Sequence, residues 1–347
     1  MKNSIIESIE KIGWPRIIIG LFLASMFVIA PFVGVSVGTS ISDVLVRFTF
    51  NGVLVLSLLP MVKSGCGLNF GLQLGIISGL LGAVTSIEIG ITGFLGFLIA
   101  IGVSIPFAIL FGIIYGLLLN RVKGDEMVVA TYVGFSVVSF MNMMWLLLPY
   151  KSPDMIWGYG GTGLRTTISV EKYWFHVLND FLSFEIGGVY VPTGGFLFFA
   201  LMCLIVWIFF KSKTGTAMTA TGSNPVYASS SGVNVNKMRL VSVIISSIIA
   251  AIGILVYEQG FGFIQLYMAP LYMAFPAIAA LLLGGASVGK ATIANVIIGT
   301  FLFQGILTMT PSVINNIIKS DMSETIRIIV SNGMIVYALT RRKKARG

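Results

Sequence analysis

Long apolar runs dominate the chain. They fall near 16–37, 43–62, 66–86, 92–119, 127–149, 193–210, 239–257, 266–285, 290–310 and 326–340. Most approach the roughly 20 residues that one helical crossing of a bilayer needs. The period-2 alternation of barrel strands is absent, and in lipid a helix satisfies its own backbone. The pattern predicts an all-α polytopic membrane protein with about ten transmembrane helices, forming one domain over 1–347. The run from Ile17 reads as the first crossing, because it ends without the small-residue site of a cleaved signal. The segment 258–276 departs from the pattern. Pro270 and Pro276 interrupt it, and Gly260 and Gly262 precede them. Broken helices persist at membrane depth only when buried in protein or lining a cavity, so this segment is expected to be broken or re-entrant, with a plain kinked helix as the alternative.

Two connecting segments are long. The loop at about 150–192 carries Trp157, Gly158, Tyr159, Gly160 and Gly161, then an amphipathic stretch from Trp174 to Phe184. That stretch suits an interfacial helix with aromatic anchors or a docking surface for an external partner. The loop at about 211–238 is rich in Gly, Ser, Thr and Asn.

Composition agrees with the pattern: 56% of the 347 residues are hydrophobic and only 10% are charged, with a mean hydropathy of +0.96. This excludes an ordinary soluble enzyme, which carries about 25% charged residues. The net charge of +9 gains meaning when sorted by side. An even number of crossings puts both termini on one face. With that face cytoplasmic, it holds Lys2, Lys11, Arg16, Lys63, Arg121, Lys123, Lys211, Lys213, Lys237, Arg239, Lys290 and the basic tail at 341–347, which is 16 of the 22 basic residues. Nine of the 13 acids, among them Glu88, Asp154, Glu171 and Glu258, fall on the other face. Both counts follow the positive-inside rule. The basic tail is thus accounted for by topology or by anionic lipid, and no nucleic-acid partner is expected.

Reactive chemistry is sparse. Asp43, Arg47, Glu88, Glu258 and Arg327 lie near outer helix ends, and no charged residue or histidine falls mid-helix. Proton-driven carriers usually need such a group within the bilayer. The stretch Gly284 to Ala291 matches G-x-x-x-x-G-K but places Ala291 where a magnesium-binding Ser or Thr belongs. It reads as a glycine-rich hairpin between packed helices. Cys66 and Cys203 imply no disulfide framework, and a single His176 leaves no base for intramembrane hydrolysis. No catalytic residue, metal site or cofactor on this chain is expected. The polar groups left within helices are neutral: Asn51, Asn69, Gln73, Asn142, Asn295 and Gln304. They are candidates for lining a translocation path, with interhelical hydrogen bonding as the plainer reading.

The inner loop carries a resemblance. It runs from Gly215 through Ala220, Gly222, Asn224, Pro225 and Ala228 to Gly232, followed by Val233, Asn234 and Val235. It resembles the cytoplasmic loop of the permease subunits of bacterial ABC importers of the ribose-type sugar and nucleoside family, the branched-chain/ribose-type inner-membrane permeases. Thr219 stands where that family often has an Arg. The stretches Ser64 to Gly71, Asp125 to Thr131, Phe275 to Ala279 and Leu283 to Ala286 resemble further family segments.

The resemblance implies a multi-pass protein of the bacterial inner membrane that pairs with a second permease copy or a paralogue. A cytoplasmic ABC ATPase subunit would bind a short coupling helix formed by the inner loop, and an extracytoplasmic solute-binding protein would deliver the cargo. A chain without ATP chemistry of its own suits such an arrangement, and scarce buried charge suits a neutral solute, a monosaccharide or nucleoside. An autonomous carrier or channel for a neutral solute is the alternative.

Overall fold

Apolar runs of spanning length become helices, and the computed structural model shows where each begins and ends. It describes residues 14–158, 161, 163–287, 290–319 and 322–340. The basic residues Lys2, Lys11 and 341–347, together with Tyr159, Gly160, Val288 and Gly289, lie outside the described residues.

The described chain is mostly helical. It comprises α1 (Trp14–Ile29), α2 (Val37–Leu56), the short α3 (Leu59–Lys63), α4 (Gln73–Ile89), α5 (Gly93–Arg121), α6 (Glu126–Leu147), α7 (Thr193–Lys211), α8 (Lys213–Ser223), α9 (Pro225–Ser230), α10 (Val235–Phe261), α11 (Ala269–Tyr272), α12 (Ala274–Leu283), α13 (Ile293–Ile318) and α14 (Ser323–Thr340). Among the described residues, seven helices are long and apolar enough to cross a membrane, and three shorter apolar stretches fall at Gln73–Ile89, Ala269–Leu283 and Thr325–Val336. These ten stretches coincide with the ten apolar runs of the sequence. The chain is a polytopic membrane protein.

One boundary differs from the expectation. The run predicted as a helix from 66 begins its helix only at Gln73. Gly65 and Gly67 hold φ of +79° and +84°, left-handed values that an L side chain resists, so the chain turns through 64–72 first. At 258–276, α10 continues intact to Phe261, the break occupies 262–268, and α11 and α12 follow as separate short helices. The stretch from Trp174 to Phe184 forms turns rather than an interfacial helix. His176 and Leu182 both take a φ of 53° there, which ends any helical run. Among the described residues four short strands also form: Phe184–Ile186 pairs with Val189–Val191, and Thr167–Ser169 pairs antiparallel with Phe263–Gln265.

Glycine sets the packing. In lipid the drive between helices is close contact rather than water exclusion, so small residues bring backbones together. A Cβ on Gly75 or Gly79 would strike Ser247, Ala250, Ala251 or Ile254 of α10, and one on Gly82 would strike Ala100 and Ser104 of α5. Accordingly α4 is buried on nearly every side. The exposed apolar positions concentrate on α5, α6 and α7, as at Leu95, Leu110, Leu117, Tyr132, Phe140, Leu201 and Ile208.

The same packing scheme occurs twice. In one half α5 packs on α4 and α10, and α6 packs on α4; in the other α13 packs on α12 and α2, and α14 packs on α12. The two lead helices, α2 and α10, cross each other, with Gly253 against Leu54 and Gly260 against Phe50. Both α5 and α13 contain an internal proline, Pro106 and Pro311. In each half the short helix, α4 or α12, follows non-helical backbone.

At the end of the bundle bearing α8 and α9, Arg239 Nη2 donates to Glu126 Oε1 at 2.6 Å, and Gly124 N donates to Glu126 Oε2 at 3.0 Å. This pair fixes the start of α6 to α10. Both side chains are largely buried, so removing one strands the other. Arg239→Ala should lower stability by about 3 kcal/mol, read as a drop in the unfolding midpoint of the detergent-solubilised protein, while Glu126→Gln, which keeps a hydrogen-bond acceptor, should lower it less.

Candidate coupling surface and translocation path

The glycine-rich loop folds into two short helices because its polar residues cap them. Ser212 accepts from Gly215 N at 3.2 Å and starts α8. Asn224 N donates to Ala220 O, closing α8, while Asn224 Oδ1 accepts from Tyr227 N at 2.9 Å, opening α9 with Pro225 at its first position. Side-chain capping and a first-turn proline are the standard start of a helix. Gly232 then turns at a φ of +83°, and Asn234 Oδ1 accepts from Lys237 N to start α10.

The small residues of this loop are seats. A Cβ on Gly215 would lie 2.2 Å from Phe209 O, and one on Gly222 would lie 2.1 Å from Lys63 O and 2.9 Å from Gly65 N. Ala228 is buried. Thr219 donates to Gly215 O at 2.9 Å, within its own helix. Sequence reasoning missed the two residues that this seating leaves outward. Val226 and Tyr227 are 75% and 68% exposed, adjacent apolar side chains in a loop otherwise made of small polar residues. That interruption of the local composition was the signal available.

The neutral polar residues do not form one lined channel. Asn69 is saturated. Its Nδ2 donates to Ser246 Oγ at 3.0 Å, and its Oδ1 accepts from Gly71 N and from Tyr115 OH. Ser246 Oγ in turn donates to Ser57 O. Asn69 therefore ties the turn at 64–72 to α5 and α10 and, through Ser246, to Ser57 at the end of α2. Asn295 shares a capping box with Thr292 and donates from Nδ2 to Gly284 O at 2.6 Å, which holds the α12–α13 hairpin. That hairpin contains the P-loop-like stretch, closed by paired bonds between Ser287 and Lys290. Asn51 donates to Arg47 O within α2. Gln304 is buried in α13, where its carbonyl accepts from Thr308. Two candidates keep free polarity among the described residues: both amide atoms of Gln73, and Oδ1 of Asn142, are buried without a partner.

Charge is more deeply placed than the sequence suggested. Glu258 is 1% exposed, and neither carboxyl oxygen has a partner among the described residues. Asp43, Arg47 and Arg327 are brought together. With Thr308, Asn315 and Asn316 they line part of a cleft of about 360 Å³ between α2, α13 and α14, at the end of the bundle away from α8 and α9.

The loop at 150–192 sits at that same end. Glu88 accepts from Lys151 N and Ser152 N, and Gln259 meets Leu178 N and Asn179 Oδ1. Tyr173 OH and Lys172 Nζ donate to Asp154 and hold its carboxyl below the usual range.

Residues 40–339 match the family described as "Branched-chain amino acid transport system / permease component". The chain belongs to that permease family. This permease is 27% identical over 163 residues to the autoinducer 2 import system permease protein LsrC of Photorhabdus luminescens, covering 45% of this chain and 49% of the relative. It is 32% identical over 114 residues to LsrC of Yersinia pestis (strain Pestoides F), covering 32% of each chain. It is 25% identical over 168 residues to the nucleoside ABC transporter permease protein NupB of Lactococcus lactis subsp. cremoris (strain MG1363), covering 47% of this chain and 42% of the relative. The matches span about half the length of these relatives or less. No solved structure matches the chain. Family membership and the apolar helices make this permease a multi-pass protein of the inner membrane and a transport subunit rather than an enzyme.

The Asn224 cap is testable in isolation. Asn224→Ala should remove about 1 kcal/mol of helix-start stability from α9, seen as faster amide exchange at Tyr227 and its neighbours with α10 unaffected.

Proposed function

We propose that this chain is the membrane-spanning subunit of an ATP-driven importer for a small neutral solute, a monosaccharide or nucleoside. An extracytoplasmic binding protein delivers the cargo, a separate cytoplasmic ATPase powers the cycle, and a second permease copy or paralogue completes the translocation unit. The chain crosses the bilayer ten times with both termini cytoplasmic, an orientation supported by the side-by-side distribution of basic and acidic residues. Its relatives are named for autoinducer 2 import and nucleoside transport.

The observation that carries this reading is the α8–α9 unit. It presents Val226 and Tyr227 outward from a polar loop and is seated without side-chain clearance on the Lys63–Gly65 backbone. An exposed apolar pair on a rigid seat suits a groove in a soluble partner, and movement of that partner can bias the permease between two access states. The cytoplasmic face around it carries Lys63, Arg121, Lys123, Lys211, Lys213 and Lys237.

The decisive experiment is capture of the cognate ATPase from membranes with tagged permease, followed by ATP-driven uptake in proteoliposomes. The purified permease alone should hydrolyse no ATP. Gly222→Asp, or deletion of 222–228, should insert normally and abolish the coupling of ATP hydrolysis to uptake. Full uptake by the deletion variant, or uptake under an ion gradient with no ATPase present, would identify an autonomous carrier instead.

A further inference from the structure

The first interruption in the bundle meets the short helices that follow the second. The turn at 64–72 precedes α4, and the break at 262–268 with α11 precedes α12, at matching places in the repeated packing scheme. The Phe70 ring at the end of the first lies 5.9 Å from Phe275 at the start of α12, and Phe275 stacks on Phe135 of α6 at 6.3 Å with a 30° tilt. Helix α11 packs on both α4 and α6. Interrupted helices in corresponding halves of a transporter mark its binding region.

Gln73 stands at this junction as the first residue of α4. It is 0% exposed, and its amide nitrogen and oxygen are both without partners among the described residues. Buried amides in native proteins are paired unless something else explains them. Asn69, four residues earlier, has partners on both its amide nitrogen and its amide oxygen, so the locality is able to satisfy one. The Gln73 amide instead rests against the bare backbone of Gly134 in α6, where a Cβ would lie 2.5 Å from Oε1. A group held ready without a partner, beside aromatic rings at the start of an interrupted helix, suits a ligand that arrives when the helices part.

We propose that Gln73, Phe70, Phe135 and Phe275 form the closed selectivity gate of the translocation path, and that this gate takes an uncharged ring solute. The proposal rests on the transport role argued above. The amide offers one acceptor and two donor hydrogens to hydroxyl, carbonyl or ring-nitrogen groups. The aromatic faces cover the apolar side of the ring. None of the four side chains carries charge, so an ion entering here would be desolvated without compensation. In the closed state the rings touch each other. Opening requires displacement of α6 or of α11–α12, the elements packed across the break.

The test uses the complete importer, with its ATPase, in a Cys66→Ala, Cys203→Ala background. Single variants Gln73→Cys and Phe275→Cys are exposed to a small water-soluble methanethiosulfonate at rest and during ATP turnover. Both should react about tenfold faster during turnover, as expected for a minor open state made dominant, while Leu117→Cys on the outer apolar face of α5 stays unreactive in both. If Gln73→Cys fails to assemble, Phe275→Cys carries the test. Unchanged reactivity between rest and turnover, in a complex that still couples ATP hydrolysis to transport, would overturn the gate and leave the transport role intact; failure of the wild-type chain to bind any ATPase would instead defeat the transport role. Uridine, D-ribose and L-leucine then test the ligand class as protectants during turnover. Slower labelling with uridine or D-ribose supports an uncharged ring. Protection by L-leucine alone, or by none of the three, overturns that assignment.

Discussion

Backbone that leaves helical geometry inside an apolar bundle must find hydrogen bonds in the protein, because hydrocarbon supplies none. This permease leaves it twice, and much of the fold follows from meeting that requirement. Around 64–72 the partners are internal: Cys66 N donates to Met61 O, and Gly71 N donates to Asn69 Oδ1. At the other break they come from the long loop. Thr167–Ser169 pairs with Phe263–Gln265, Val170 N donates to Gly262 O, and His176 N donates to Gln259 O. The loop at 150–192 is thus part of the membrane architecture as well as a surface, since it completes a segment that could not stand alone in lipid.

Close backbone approach does the remaining work. The α4, α5 and α10 helices meet at glycines whose Cβ positions are already occupied by neighbouring atoms, and short hydroxyl chains such as Ser246 to Ser57 join what the glycines bring near. Such interfaces gain from van der Waals contact and from satisfied polar groups. They resist gradual deformation, so a transporter built this way moves by parting one packed face from another. Helix α6 is lightly held, packing mainly on α4, α5 and α11 among the described elements, so parting it breaks little contact.

Much of this was legible beforehand. The apolar runs gave the helical stretches, and the loop from Gly215 to Val235 gave the family, because capping residues and turn glycines are local signals. The start of α4 was not legible. An apolar run with Cys66, Leu68 and Phe70 continues smoothly into the helix, and only the positive φ at Gly65 and Gly67 separates them. Nor could sequence sort the amides. Asn69, Asn295 and Gln73 look equivalent as neutral polar residues in apolar surroundings. Which of them is spent on packing depends on partners distant in the chain, such as Tyr115 and Ser246 for Asn69 and Gly284 for Asn295. Charge counting puts Glu258 at a helix end, and the fold buries it there, a tertiary fact with no local trace.

The seating of Gly222 on the Lys63–Gly65 backbone has a mechanical consequence. With no side chain between them, neither strand of chain has slack to absorb a displacement of the other. The 64–72 turn begins at that contact and ends at Phe70 and Gln73. A displacement of α8 and α9 would therefore be passed along the 64–72 segment toward Phe70 and Gln73. Inserting a single flexible residue near Gly67 would supply the missing slack, although every contact at either end remained in place.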